Sequence, residues 1–378
     1  MTMRPTQVCF LNPFGYELFA PATRASRVFG GAEVQLYYLA TALAALERFS
    51  VSMIVESANL RDQQVVEGVR MIPVRPEPPA LARLRDRIPI PSLRYLSAMR
   101  TADADIYLQR GGAVQTGDVA LHCRAARRRF VFMAAHDWDC DHHHRGGSQY
   151  LAGTYYAAGL HRADLVYAQS QFQQDQLQRH HHTSSAVQRT VYPAAPVSSP
   201  DEREHVLWVG RCVDWKRPMA FLDLAEARPD VSFVMACAPY EGAHDLYVSV
   251  AARADLIPNV EFLGFVPFAA TDDLFRNARV MVNTSTVEGF PNTFVQAARV
   301  ATPVLSLDVD PDRVLEEGGF GACADGNPTT LAEQLDQMLD NETWRRYSVN
   351  ALDYFRATHD LETILPAFAR SLEDLCRS

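Results

Sequence analysis

The sequence predicts an α/β protein of two similar domains, and three observations carry that reading. Short apolar, β-branched runs alternate with longer amphipathic runs along the whole chain, the pattern of parallel sheets covered on both faces by helices. Those runs are too many for one tidy sheet. The stretch "VYPAAPVSSPDEREH", residues 191–205, is rich in Pro, Ser and charge and reads as a linker. A length of 378 residues suits two domains of about 150 residues each. The expected domains are 1–195 and 196–378.

In chain order, "TQVCFLNP" reads as the first strand, and "GGAEVQLYYLATALAALE" as a helix with apolar residues at helical spacing. "FSVSMIVES", "VRMIPV", "ADIYLQ", "RFVFMAA", "ADLVYAQS" and "QRTVYP" follow as strands, with helical stretches between several of them. The second half repeats the rhythm with "HVLWVG", "VSFVMACAP", "VEFLGFV", "RVMVNTS" and "TPVLSLD". Three helices, "TLAEQLDQMLD", "NETWRRYSVNALDYFRA" and "LETILPAFARSLEDLC", close the chain, the last expected to cross back to the first domain. Ligands of such sheets bind at the C-terminal ends of the strands. Two domains facing each other would place a substrate cleft between them.

Composition narrows the function. With 48% hydrophobic and 21% charged residues the chain is of ordinary globular type. No apolar run is long enough to span a membrane, and the first residues carry no signal-peptide core. Seven scattered cysteines without a C-x-x-C pair read as reduced thiols, which points to a cytoplasmic protein. Residues 1–200 hold 21 Arg against 16 acids, a balance of +5, whereas residues 201–378 carry 15 basic and 29 acidic residues, a balance of −14. No part is basic enough for general nucleic-acid binding. The first half can face an anionic surface such as lipid phosphates. Neither G-x-G-x-x-G after a strand, nor G-x-x-x-x-G-K-[ST], nor G-x-S-x-G occurs.

Two segments could carry chemistry. "VGRCVDWKRP", residues 209–218, holds Lys216, the only lysine of the chain; every other basic residue is Arg. Arg211 and Lys216 follow the first strand of the second domain. There a planar fork and a compact ammonium could neutralise a departing diphosphate. Taken alone, two cations in a turn are more often an ordinary solvated surface. "NTSTVEGFPNTFVQAARV", residues 283–300, runs from a strand through a loop into a helix that Pro291 can open as its first residue. The free N–H groups of that helix start suit an anion. Glu288, just before it, can accept from sugar hydroxyls, and Gln296, eight residues on and about two turns along, points to the same side. Alone, these would be a loop acid and a surface amide.

Together, "VGRCVDWK", "VEFLGFVP" and "NTSTVEGFPNTFVQAARVATPV" closely resemble the donor-binding half of the retaining glycosyltransferases of family 4. That family has the GT-B fold, two Rossmann-like domains facing across a cleft. "FGGAEVQLYYLATAL" resembles its glycine-rich entry to the first helix, "FVFMAAHDWD" its strand ending in a cleft-facing His, and "RADLVYAQSQFQQDQL" its pre-linker strand and helix. The match is loose over residues 57–100.

The resemblance implies that Arg211 and Lys216 hold the nucleotide diphosphate and that Glu288, the first Glu of the family's E-x7-E motif, contacts the donor sugar. Gly289, Phe290, Pro291 and Asn292 are assigned with it to substrate binding, as are Gly30, Gly31 and His136, with Asp137 the alternative to His136. Gln296 stands where the second Glu usually grips the ribose hydroxyls, and loses a charge-assisted bond of about 1 kcal/mol. The family's usual Asn-Gly after the linker strand is replaced by "VYPAAP".

The implied activity is metal-independent transfer of a sugar, with retention, from a nucleotide-diphospho donor in the second domain to a hydroxyl acceptor on the first. The acceptor would be a glycan, a lipid-linked molecule or a small molecule, and no cofactor beyond the donor is expected. In the implied front-face displacement the departing diphosphate helps to deprotonate the acceptor. The alternatives are a nucleotide-sugar epimerase of the same fold and a non-catalytic sugar-nucleotide-binding relative.

The remaining signals divide differently. "HDWDCDHHHRGG", residues 136–147, holds two D-x-D patterns and a His run; a catalytic metal is not expected there. "RHHHT", residues 179–183, reads as a solvated helix end. "ALARLRDRIPIPSLRYLSAMR", residues 80–100, is basic and partly amphipathic, and is either an ordinary surface or a peripheral contact with the inner face of a membrane. Arg110, in "QRGG", ends a strand and faces the ligand edge without an assigned role.

Overall fold

The computed structural model describes residues 4–20, 29–57, 59–75, 78–85, 88, 90–141, 150–200 and 203–377. The chain divides into two compact units. One comprises Phe29–Val191, the described residues before it, and the end of the chain from Ile364; the other is Tyr192–Thr363.

The first unit is an eight-stranded sheet: β1 (Thr6–Leu11), β2 (Phe49–Glu56), β3 (Gln64–Val66), β4 (Val69–Val74), β5 (Ile106–Arg110), β6 (Arg129–Met133), β7 (Leu165–Ala168) and β8 (Ala186–Val187). Its order is β3-β4-β2-β1-β5-β6-β7-β8, parallel except for β3 against β4. The second unit has six parallel strands: β9 (His205–Arg211), β10 (Ser232–Ala238), β11 (Val260–Phe262), β12 (Ala278–Asn283), β13 (Val304–Ser306) and β14 (Gly321–Cys323). Their order is β11-β10-β9-β12-β13-β14. The chain therefore builds outward from β1 in one direction, then restarts at β5. It does the same from β9, restarting at β12. These are Rossmann-like sheets with a switch point between β1 and β5 and another between β9 and β12.

The strands are apolar because helices cover both faces. Phe130, Val131 and Phe132 of β6 are fully buried, as are Val206 and Leu207 of β9. In the second unit the core ring of Phe221 meets Phe233 edge-on at 5.4 Å. Local signals set the helix starts. Asn327 accepts from the amides of Thr329 and Thr330 while Pro328 fills the first position. Asp340 caps the next helix, Asn341–Thr358, through the amides of Glu342 and Thr343.

Three features depart from the expected elements. The β3–β4 hairpin turns on Glu67 and Gly68, both with positive φ (48° and 76°), which is the two-residue turn that suits strand twist. β14 is likewise too short to announce itself by pattern. "QRTVYP" is not a strand; β8 lies just before it. At Val191 the pairing comes from a side chain. Gln35, buried on the helix Gly31–Ala44, donates to the Val191 carbonyl at 2.9 Å and accepts from the Val191 amide at 2.7 Å. A glutamine thus does for this residue what a neighbouring strand would do.

Among the described residues no helix is long and apolar enough to cross a membrane. Replacing Gln35 by Leu strands a buried donor and a buried acceptor of Val191. We expect a loss of about 2–4 kcal/mol, read as a drop of several degrees in the calorimetric transition of the first unit. An unchanged transition would show that water replaces the amide.

Candidate active site

The ends of β9, β12 and β13 meet at the switch point of the second unit. Arg211 closes β9, and its guanidinium lies 5.1 Å from the ring centroid of Tyr240, which follows β10. The chain then makes a short 3-10 turn, Asp214–Lys216, and Arg217 takes a left-handed conformation (φ 45°) ahead of Pro218, which opens the helix Pro218–Ala227. That break aims Lys216 away from the helix. Its ammonium bonds to Oε1 of Glu288, and both side chains are largely buried, at 17% and 14% exposure.

Glu288 comes to that position because the loop after β12 is stitched to the turn after β9. The Thr284 hydroxyl donates to the carbonyls of Lys216 (2.7 Å) and Arg217 (3.0 Å), and accepts from the indole N–H of the buried Trp208 at 2.9 Å. The Thr286 amide donates to the Trp215 carbonyl at 2.8 Å. Arg217 Nε donates to the Thr284 carbonyl at 2.6 Å, while its Nη2 pairs with Asp308 beyond β13. The Ser285 hydroxyl donates to Glu288 Oε1 at 2.7 Å. Glu288 thus receives two bonds on one oxygen, and Oε2 has no hydrogen-bond partner among the described residues.

Gly289, Phe290 and Pro291 are buried. The Phe290 ring packs 5.1 Å from that of the fully buried His359, so its side chain braces the loop from within. Pro291 precedes the helix rather than opening it, since Asn292–Ala298 is the helical span. Gln296 is therefore on the helix itself and buried, while Glu288 sits in the loop four residues ahead of it, as the sequence places them.

In the first unit, Gly30 caps the helix that Gly31 begins. A Cβ on Gly30 would lie 2.3 Å from Glu33 Oε2. The space over Gly30 is occupied by the carboxylate of Glu33 from its own helix, the far end of a flexible side chain. His136 follows β6 and caps a turn, Asp137–Asp139. Its Nδ1 accepts from the Trp138 amide at 3.3 Å and its ring packs on Trp138 at 4.3 Å.

Two of the three acids in the overlapping D-x-D patterns, Asp137 and Asp139, bond to the fold through their side chains. Asp139 accepts from the amides of Ala135 (2.8 Å), His136 (3.0 Å) and Gly112 (2.9 Å), and Asp137 accepts from Gln173 at 3.0 Å. Residues 142–147 of that stretch lie outside the described residues. Among the described residues no group of three or more His, Cys, Asp or Glu is arranged to hold a metal.

Arg110 is buried and donates to the Gln169 side chain at 2.7 Å. The "RHHHT" run is not wholly solvated, because His181 is 1% exposed and bonds through Nε2 to the Asp141 carbonyl at 2.9 Å.

Ser285, Arg217, Asp308 and Tyr240 were not singled out from sequence. The small polar run "NTST" ahead of Glu288 is the one signal that could have found Ser285.

The loop after β13 adds a titrating group to this rim. Burial raises the Asp310 carboxyl from 3.8 to about 6, against the opposing bond from the Leu315 amide at 3.0 Å. An acid with a raised folded pKa holds its proton more tightly folded than unfolded. Its stabilising share is therefore complete below about pH 4 and is lost as pH rises through about 6. Asp310→Asn should raise the melting temperature at pH 7.5 by the equivalent of about 1 kcal/mol, discounted for partial exposure, and leave it unchanged at pH 4. A lower melting temperature at pH 7.5 would contradict this.

Two family models match the chain. One, described as "Glycosyltransferase Family 4", covers residues 29–198, and the other, "Glycosyl transferases group 1", covers residues 203–341. No curated protein matches. Among solved structures, the sucrose-phosphate synthase of Thermosynechococcus elongatus aligns with a TM-score of 0.76 at 16% identity, over 98% of this chain and 99% of that one. HepE of Anabaena, solved in complex with UDP and glucose, aligns at 0.73 and 19% identity, over 98% and 100%. The α,α-trehalose 6-phosphate synthase of Burkholderia multivorans gives 0.73 at 12% identity, over 99% of each. At these identities the likeness shows the fold alone.

Proposed function

Because the chain belongs to the family 4 glycosyltransferases of GT-B fold, we propose that it moves a sugar from a nucleotide-diphospho donor to a hydroxyl acceptor with retention of configuration. One observation carries this reading: the chain's single lysine is bonded to Glu288 at the switch point of the second unit, with Arg211 at the end of the adjoining strand. The ammonium and guanidinium suit a diphosphate whose charge grows as the glycosidic bond breaks. Glu288 Oε2 suits a sugar hydroxyl. The departing diphosphate then takes up the acceptor proton. Gly289 to Pro291 contribute through the loop they form and Asn292 from the first turn of the helix, and Gln296 is the weaker replacement for a ribose-binding acid. Gly30, Gly31 and His136 are proposed substrate contacts on the first unit, which takes the acceptor.

The transfer is proposed to need no metal, because two protein cations serve the diphosphate. All seven cysteines are free, which suits a reducing cytoplasm. Residues 80–100 are proposed as a peripheral membrane contact. Leu81, Leu84, Ile88, Ile90 and Leu93 are exposed there beside Arg83 and Arg100; residues 86, 87 and 89 lie outside the described residues. A lipid-linked acceptor would suit such a contact.

A thermal-shift screen against UDP, GDP, ADP, dTDP and their glucosyl derivatives tests the donor class, since ligands of the folded state raise the melting temperature. At least one nucleotide should raise it; no shift with any would count against this function. Lys216→Arg keeps the charge but misplaces it, and should lower kcat at least about tenfold, near 1.4 kcal/mol of barrier. Glu288→Gln should lower kcat by at least as much. It should also tighten binding of the free nucleoside diphosphate about three- to tenfold, because a negative charge beside the diphosphate is removed. Weaker nucleotide binding in this variant would refute the placement of the diphosphate at Lys216.

A further inference from the structure

We infer that Ser285 is a specificity-determining residue, which sets how Glu288 meets the donor sugar; this rests on the glycosyl-transfer reading above. An ionised carboxylate can accept through either oxygen and can swing about its last torsion. At Glu288 that freedom is removed. Both the Ser285 hydroxyl, at 2.7 Å, and the Lys216 ammonium fall on Oε1. Oε2 is left without a partner among the described residues, and it is not one of the buried unpaired atoms, so it remains open to a ligand. One oxygen is spent on the protein and the other is presented in a fixed direction.

Ser285 is suited to this task by its own restraints. It is 1% exposed. Its amide donates to the Asn283 side chain at 3.0 Å, and its carbonyl accepts from Arg217 Nη2 at 3.4 Å. The hydroxyl therefore starts from a backbone pinned on both sides, two residues beyond the end of β12. Lys216 alone could not do the same. An ammonium donates in three directions, and a bound diphosphate would draw it away from the carboxylate. Ser285 carries no charge, so a diphosphate draws on it less strongly than on the ammonium. It keeps hold of Oε1 while Lys216 turns to the phosphate.

The consequence is a division of labour. Lys216 serves the nucleotide end of the donor, and Ser285 serves only the sugar end. Removing the hydroxyl should leave the nucleoside diphosphate unaffected, yet blur the choice between sugars that differ at one hydroxyl. A residue that merely held the loop together would weaken both ends.

The test uses Ser285→Ala and Ser285→Cys in the full chain, with the nucleotide and sugar nucleotide selected by the thermal-shift screen. Ser285→Ala should bind the free nucleoside diphosphate within about twofold of wild type and keep the wild-type melting temperature within a few degrees. Its kcat/KM should fall about tenfold, and its preference for the donor over the epimer at one sugar hydroxyl should narrow by a similar factor. Ser285→Cys, with a weaker donor of similar size, should lie between the two. Wild-type kcat/KM and epimer preference in Ser285→Ala would overturn the proposal, as would an equal weakening of the free nucleoside diphosphate. If the wild-type protein itself binds no nucleotide, the glycosyl-transfer reading falls and this inference with it; a normal wild-type enzyme with an indifferent Ser285→Ala overturns the inference alone.

Discussion

The ion pair between Lys216 and Glu288 joins residues 72 positions apart, and the loops after β9 and β12 are bonded to each other around it. An ammonium and a carboxylate brought largely out of water must find each other with good geometry, or the desolvation cost is not met. The protein meets that condition with backbone rather than with more charge. Thr284 fixes the two carbonyls of the Lys216 turn, Trp208 fixes Thr284 from the core beneath, and Arg217 ties both loops to Asp308. The pair sits where the order of strands reverses, between β9 and β12. Such a reversal is where sheets of this kind ordinarily bind their ligands.

That position accounts for the choice of residue types. A planar guanidinium at 216 would satisfy a carboxylate with a two-pronged contact, and would resist release to another anion. A compact ammonium on a flexible stem can change partners. Two buried arginines of the second unit do structural work instead. Arg203 is buried and bonds to Thr302 and to main-chain carbonyls, and Arg299 is buried against Asp272. The contrast between these fixed forks and the single ammonium separates holding the fold from meeting a ligand.

Much of this was legible in the sequence. Apolar runs alternating with helical ones revealed two parallel sheets, because strands buried on both faces must be continuously apolar. Lys216 stood out because it is unique, and Glu288 because its loop joins a strand to a helix. What escaped notice has a common physical character. β3 and β14 are too short to carry a period, and the strand expected around Val191 is replaced by the side chain of Gln35. Nothing local announces Glu33 folding back over Gly30, or His181 turning inward to Asp141. Nor does anything local announce that the Phe290 ring packs on the buried His359. Each is decided by a partner distant in the chain, which a reading of neighbours cannot supply.

Lys216 is proposed to exchange its carboxylate for a diphosphate. A crystal structure of the protein soaked with its selected nucleoside diphosphate tests this most directly. A phosphate oxygen within hydrogen-bonding distance of Lys216 Nζ, about 3 Å, with Ser285 still bonded to Glu288, is the expected result. A nucleotide bound elsewhere, with the Lys216–Glu288 pair intact and no phosphate against it, would contradict the central claim.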